Sequence, residues 1–174
     1  MPRHALVVMG TAGVGKSRIG EALASSLQLP FVEGDAFHSP DNVAQMHAGI
    51  PLTDDNRQGW LQALAMELRD ARDREHGVVL TCSALKRRYR DVLRSGDDSL
   101  QFIFLRGDTA LLRERLNARA GHYMPASLLD SQITTLEIPS PDENAWIYDV
   151  QQAPDSIVNA IVARLQGDSE TRSA

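Results

Sequence analysis

The chain has 174 residues, 43% of them hydrophobic and 24% charged, enough to bury one core but short for two independent domains. A net charge of -5 argues against a protein that holds nucleic acid chiefly by neutralising phosphates. The single cysteine, Cys82, excludes an intramolecular disulfide and a CxxC site, and the five or six apolar residues before Gly10 are too few for a signal peptide or a membrane span. The expectation is one domain over residues 1–166 in a reducing cytoplasm, with no nucleic-acid or membrane partner and a loose polar tail over 167–174.

Residues 5–9 are a short, fully apolar run that suits a central parallel strand covered on both faces. Gly10-Thr11-Ala12-Gly13-Val14-Gly15-Lys16-Ser17 follows at once, and from Lys16 the residues Ile19, Ala22, Leu23, Ala24 and Leu27 recur at helical spacing as far as Pro30. Residues 31–33 read as a second strand ending at Gly34-Asp35, and 40–48 as a brief helix closed by Gly49. Thr53 or Asp54 caps a helix whose Trp60, Leu61, Leu64, Ala65 and Leu68 form one buried face, ending near Gly77. A third strand spans 78–82, a polar helix 86–94 and a fourth strand 102–105. Helical spacing covers 109–118, breaks at Gly121, resumes over 125–136 and stops at Pro139 and Pro141. A fifth strand over 146–150 and a closing helix over 157–165 complete the order. The alternation predicts an α/β, doubly wound sheet of five parallel strands. Ligands of such sheets bind at the carboxyl ends of the strands, so Gly10, Asp35, Cys82-Ser83 and Arg106-Gly107 are expected on one rim.

The pattern GxxxxGKS between an apolar strand and a helix is a phosphate grip. Gly10, Thr11, Ala12, Gly13, Val14 and Gly15 curl the backbone so that its N–H groups meet phosphate oxygens at a helix N-terminus. Lys16 is placed to reach the β- and γ-phosphates of ATP, and the Ser17 hydroxyl to hold Mg²⁺. GTPases, ATPases and kinases share this motif, but no NKxD segment and no DxxG after the third strand point to a GTPase switch. Asp35, after the second strand, can accept a proton from an incoming hydroxyl or help position Mg²⁺, with a turn or helix cap as its structural alternative.

Further segments form an ordered set: Gly34-Asp35-Ala36-Phe37-His38, Asn42, Met46, Gly49, Pro51-Leu52, Asp54-Asp55, Arg57 and Trp60-Leu61. It continues through Cys82-Ser83-Ala84-Leu85-Lys86, Tyr89-Arg90-Asp91, Leu105-Arg106-Gly107-Asp108, Arg119-Ala120-Gly121-His122-Tyr123 and Thr135-Leu136-Glu137. Over nearly the whole chain except the tail, this set resembles the gluconate kinase (gluconokinase) family. Shikimate and nucleoside-monophosphate kinases share the fold and not these segments. The resemblance implies a P-loop kinase of the nucleoside-monophosphate kinase type with a helical lid, here roughly 119–140. It implies transfer of the ATP γ-phosphate to the 6-hydroxyl of D-gluconate, giving 6-phosphogluconate, and commonly a homodimer. Thr11-Ala12-Gly13-Val14 stands where many members carry Val-Ser-Gly-Ser, and Tyr123 replaces a common phenylalanine; the backbone donors remain.

A sugar acid needs a cation for its carboxylate and polar partners for its hydroxyls. Arg57 is the first choice for the cation, with pairing to Asp54 one turn away as the alternative. His38 is placed to hydrogen-bond a hydroxyl or stabilise its own loop, and Lys86 with Arg90 forms a basic face that meets an anion or solvent. Arg115 and Arg119 are read as cations presented to ATP by a flap, with Arg119 joining Lys16 and Asp35 in catalysis. His122 and Gln132 are weaker substrate candidates, and residues 151–154 a border for the adenine. Asp54 and Asp55 read as helix-entry carboxylates, Trp60 as core, and Cys82 as a buried strand-end thiol rather than a nucleophile. The competing readings are a kinase of another hydroxylated acid, such as shikimate, and a non-catalytic nucleotide-binding regulatory module.

Overall fold

Every residue of Ala5–Met9 (β1) is buried because this strand lies in the middle of the sheet and has helices over both faces. The computed structural model describes residues 2–119 and 128–173. In chain order β1 leads to α1 (Lys16–Leu27), β2 (Phe31–Glu33), a 3₁₀ turn (Gly34–Phe37), α2 (Pro40–His47) and α3 (Asp54–Asp73). Then come β3 (Val78–Thr81), α4 (Arg87–Gly96), β4 (Gln101–Arg106), α5 (Thr109–Asn117), α6 (Leu128–Thr135), β5 (Trp146–Asp149) and α7 (Pro154–Ser173). The five strands are parallel in the order β2-β3-β1-β4-β5, with Val8 level with Thr81 on one side and Ile103 on the other.

Alternation along the strands divides the core into two layers. Leu6 and Val8 join Ile19 and Leu23 of α1, Leu112 and Leu116 of α5 and Ile157 and Ile161 of α7. Val7 and Met9 point the other way, onto Leu61, Leu64 and Leu68 of α3 and Leu93 of α4. Burying a leucine such as Leu64 or Leu68 contributes about 1.5–3 kcal/mol, so these stripes supply much of what holds the helices to the sheet. α3 starts where Thr53 accepts from the Asn56 N–H at 3.1 Å while Asn56 accepts from the Thr53 N–H at 3.2 Å, a reciprocal cap with Asp54 and Asp55 in the first turn.

Two boundaries differ from expectation. α7 runs from Pro154 to Ser173, through most of the segment expected as a loose tail. The polar residues that read as a tail continue the helix instead, with the hydroxyls of Ser169, Thr171 and Ser173 donating to the carbonyls of Leu165, Gly167 and Ser169 four positions back at 2.9–3.0 Å. α6 is described only from Leu128; the start of the expected 125–136 helix lies outside the described residues. Among the described residues no helix is long and apolar enough to cross a membrane.

Two tertiary contacts position the site. Gly34 sits against the end of β3, where its N–H donates to the Thr81 hydroxyl at 3.1 Å; an added Cβ would lie 1.8 Å from the Thr81 carbonyl oxygen. Farther along, the fully buried Arg90 of α4 grips Glu143 with two parallel hydrogen bonds of 2.7 and 3.0 Å, and Arg94 adds a third at 2.7 Å. Arg87 binds Asp142, and the Arg87 N–H donates to the Glu137 carboxylate at 2.9 Å. Residues 137–143, after α6, are thereby pinned to α4.

Burial opposes ionisation of Glu143, but the hydrogen bonds from Arg90, Arg94 and the Ser140 N–H outweigh it and hold the carboxyl at about 2, against an ordinary 4.5. A lowered folded-state pKa contributes stability that is present above about 4.5 and is lost as the pH falls towards about 2. Glu143→Gln should cost about 3–5 kcal/mol in urea unfolding at neutral pH and flatten the acid limb of the stability profile. Gly34→Ala should cost upwards of about 3 kcal/mol, read as a melting point lowered by roughly 6–12 °C.

Candidate active site

A cleft open to solvent lies at the carboxyl ends of β1, β2 and β3. One side is the turn between β1 and α1. Gly10, Gly13 and Gly15 take φ values of 148°, 86° and 88°, which a residue with a Cβ rarely adopts, so the turn curls tightly into the helix N-terminus. Thr11, Ala12 and Val14 are buried, and the latter two pack into the core, so what they can offer a ligand is backbone. The Gly10 N–H donates to the Ser83 carbonyl at 3.3 Å and ties the turn to the end of β3.

Lys16 folds back over this turn, its Nζ 3.0 Å from the carbonyls of both Gly10 and Thr11. Burial lowers its pKa, with Asp35 and Glu33 among the charges that oppose the shift and Arg119 reinforcing it. Ser17 donates to Glu33 at 2.5 Å, and Thr81 donates to the other oxygen of the same carboxylate at 2.6 Å. Glu33 is the residue on this side that sequence reasoning missed. Its one signal was position: a carboxylate at a strand's carboxyl end, two residues before Asp35. Hydroxyl and carboxylate together form an oxygen pair of the kind hard divalent cations take.

The opposite side begins with Asp35 and His38, which the Gly34–Phe37 turn delivers into the cleft. His38 stacks on Trp60 with ring centroids 4.0 Å apart and planes 21° apart, and the Trp60 indole N–H donates to the Gly34 carbonyl at 2.8 Å. Trp60 is thus core, as expected, and also a platform for His38. Burial lowers the His38 pKa from 6.5; Asp35 opposes this and Arg57 adds to it, so the imidazole is neutral at neutral pH. Its buried Nδ1 has no hydrogen-bond partner among the described residues. Met46, Leu52 and Leu128 form a small apolar cluster at the margin of the cleft.

Arg57 lines the cleft and donates to the Tyr89 hydroxyl at 3.0 Å. It is this hydroxyl, rather than Arg57 itself, that meets Asp54. Arg119 and Gln132 also line the cleft, and the Gln132 side-chain oxygen accepts from the Ala12 N–H at 2.6 Å, joining α6 to the phosphate turn.

Other expected site residues are engaged elsewhere. Arg90 is fully buried in its pair with Glu143, also donates to the carbonyls of Ala84 and Leu85, and does not line the cleft, a placement that makes it a structural anchor. Lys86 is held by Asp54 at 3.3 Å instead of lining the cleft. Arg115 donates to the Val150 carbonyl at 2.8 Å, beyond the cleft wall. Arg106 and Gly107 do not line the cleft either. The thiol of Cys82 is buried and pushed up to about 12, which suits an inert structural residue. His122 and Tyr123 lie outside the described residues.

A phosphate-binding turn facing a carboxylate, a neutral imidazole and an arginine is an arrangement that can bring a phosphoryl donor and a hydroxylated anion together. Comparison with known proteins agrees. The family model described as shikimate kinase matches residues 12–166. Gluconokinase of Gluconobacter oxydans (strain 621H) is 44% identical over 163 residues, covering 94% of this chain and 92% of the relative. Among solved structures, a gluconokinase from Sinorhizobium meliloti 1021 has a TM-score of 0.86 at 44% identity, covering 98% of each chain. An unliganded sugar kinase from Janibacter sp. HTCC2649 has a TM-score of 0.90 at 45% identity, covering 95% of each chain. With this likeness sustained over nearly its full length, the chain belongs to the gluconokinase family, P-loop kinases whose fold is shared with shikimate kinase.

Proposed function

We propose that this enzyme transfers the γ-phosphate of ATP to the 6-hydroxyl of D-gluconate, giving 6-phosphogluconate and ADP. The observation that carries the reading is the division of one cleft into a phosphate side, with Lys16 on the glycine turn, and an acceptor side, with Asp35, His38 and Arg57. A kinase needs both within reach; a nucleotide-binding module needs only the first.

In this reading Arg57 receives the carboxylate of the acid and neutral His38 exchanges a hydrogen bond with one of its hydroxyls. Asp35 orients the 6-hydroxyl and takes up its proton as the acceptor oxygen bonds to the γ-phosphorus. The bond from that phosphorus to the β–γ bridging oxygen breaks, and ADP leaves with the electron pair. Lys16 exchanges its carbonyl contacts for the phosphates and follows the charge moving onto the bridging oxygen, with Arg119 as a second cation at the cleft.

Ser17 and Glu33 fit a Mg²⁺ ion, since both offer oxygen. Among the described residues no cluster of three or more His, Cys, Asp or Glu could hold a metal alone, which suits an ion that takes most of its ligands from phosphate and water. Such an ion, when bound, neutralises charge on the phosphate oxygens. A homodimer in a reducing cytoplasm completes the reading; the buried, solitary Cys82 suits that compartment.

An ADP-release assay across a panel of sugar acids tests the assignment: gluconate should be turned over fastest, and brisk turnover of shikimate or another acid with none of gluconate would remove it. Asp35→Asn should lower kcat by about 10²–10⁴-fold with the KM for ATP little changed. Arg57→Ala should raise the KM for gluconate by about 10–100-fold, the loss of a charge-assisted hydrogen bond. Glu33→Gln should raise the Mg²⁺ concentration needed for half-maximal activity; an identical Mg²⁺ titration would dissociate Glu33 from the metal.

A further inference from the structure

Tyr89 belongs to α4, and its ring is packed into the core beside Leu85 and Leu93. Its hydroxyl is the one polar atom of that ring and stands between two charged groups of α3. It accepts from Arg57 Nη1 at 3.0 Å and donates to the carboxylate of Asp54. The directions matter. Because the hydroxyl hydrogen is directed to Asp54, the oxygen's lone pairs are left for Arg57, which itself lines the cleft.

The arrangement is braced at its far end. Asp54 is held by Lys86 at 3.3 Å and by Arg88 at 2.9 Å, and it opens α3, where the helix field favours a negative charge. The hydrogen bond from Tyr89 and the two cations lower the carboxyl's pKa, while burial and the Asp54 contact raise that of the phenol. The carboxylate therefore stays charged and the hydroxyl keeps its proton around neutral pH. The ring supports the same guanidinium, whose carbon lies 5.4 Å from the ring centroid. One of the five guanidinium N–H donors is used on the hydroxyl, and among the described residues no other acceptor holds the group.

We propose that Tyr89 is a positioning residue for the acceptor: through its hydroxyl it presents Arg57 to the cleft and keeps it off Asp54. This rests on the reading that Arg57 receives the carboxylate of the acid. A free arginine one turn from Asp54 on the same helix would pair with it. Tyr89 occupies that carboxylate and holds the cation where substrate needs it, so the ordering of a long flexible side chain is complete before binding. Tyr89 touches neither substrate in this scheme and acts on binding of the acid alone.

The test is a double-mutant cycle on the full-length enzyme with Tyr89→Phe, Arg57→Ala and the pair, reading kcat, both KM values and the melting point. Tyr89→Phe keeps the ring and should raise the KM for gluconate by about three- to thirty-fold, with kcat and the KM for ATP changed by less than about two-fold. In the Arg57→Ala background the same substitution should add less than about two-fold, because the group it positions is gone. Asp54→Asn, which weakens the far end of the relay and leaves Tyr89 in place, should give a smaller rise of the same sign; it carries the test if Tyr89→Phe folds poorly. An unchanged KM for gluconate in Tyr89→Phe or Asp54→Asn, beside a raised one in Arg57→Ala, overturns the role of Tyr89 and leaves that of Arg57 standing. Multiplying effects in the double variant, or an equal rise in the KM for ATP, overturn it as well. If Arg57→Ala leaves the KM for gluconate unaltered, the underlying reading of Arg57 fails and the positioning role falls with it.

Discussion

The backbone of Gly34 lies against the carbonyl of Thr81 at the carboxyl ends of β2 and β3, closer than any side chain would allow. Four parts of the site meet at this junction. Thr81 accepts the Gly34 N–H on its hydroxyl oxygen and donates a hydrogen bond to Glu33, whose other oxygen accepts from Ser17. The Gly34 carbonyl receives the Trp60 indole, and on that indole lies His38. Asp35 follows Gly34 directly. A shift of the chain here would move both sides of the cleft together.

The cleft works against the charge of the whole molecule. A chain of net charge -5 gathers Lys16, Arg18, Arg57 and Arg119 around this cleft, and among the described residues that line it Asp35 is the one carboxylate, with Glu33 bonded to Ser17 beside it. Surface charge beyond about 8–10 Å is screened at physiological salt, so what a bound anion feels is this local set. Burial raises the strength of each contact and also its cost, visible in the lowered pKa of Lys16 and His38. Lys16, half-buried, has partners of its own in the two carbonyls on which it rests.

The α6 side of the cleft is held at two points. Gln132 of α6 bonds the phosphate turn directly, and residues 137–143 are clamped to α4 through Glu137, Asp142 and Glu143. The arginines of α4 thus divide by the direction they face. Arg88, with Lys86 just before the helix, holds Asp54, whereas Arg87, Arg90 and Arg94 fasten the segment that follows α6.

Local pattern in the chain was enough for the strands, the helices, the parallel alternation and the phosphate turn, because each depends on residues within a few positions of one another. The placing of Asp35 and Arg57 at the cleft followed from the topological rule and from the family resemblance of the segments around them. Partner choice was beyond local pattern. Arg57 and Arg90 are both arginines on helices, but one meets a tyrosine 32 positions away and the other a glutamate 53 positions away, and that alone sends the first to the cleft and the second into the core. Glu33 looked like an ordinary strand residue until Ser17 and Thr81 closed on it, and residues 167–173 looked like a tail until their hydroxyls bonded back along α7. The sequence by itself determined the fold and the phosphate grip; tertiary structure decided which charges face the cleft, because a charged side chain goes to whichever distant partner best offsets its loss of water.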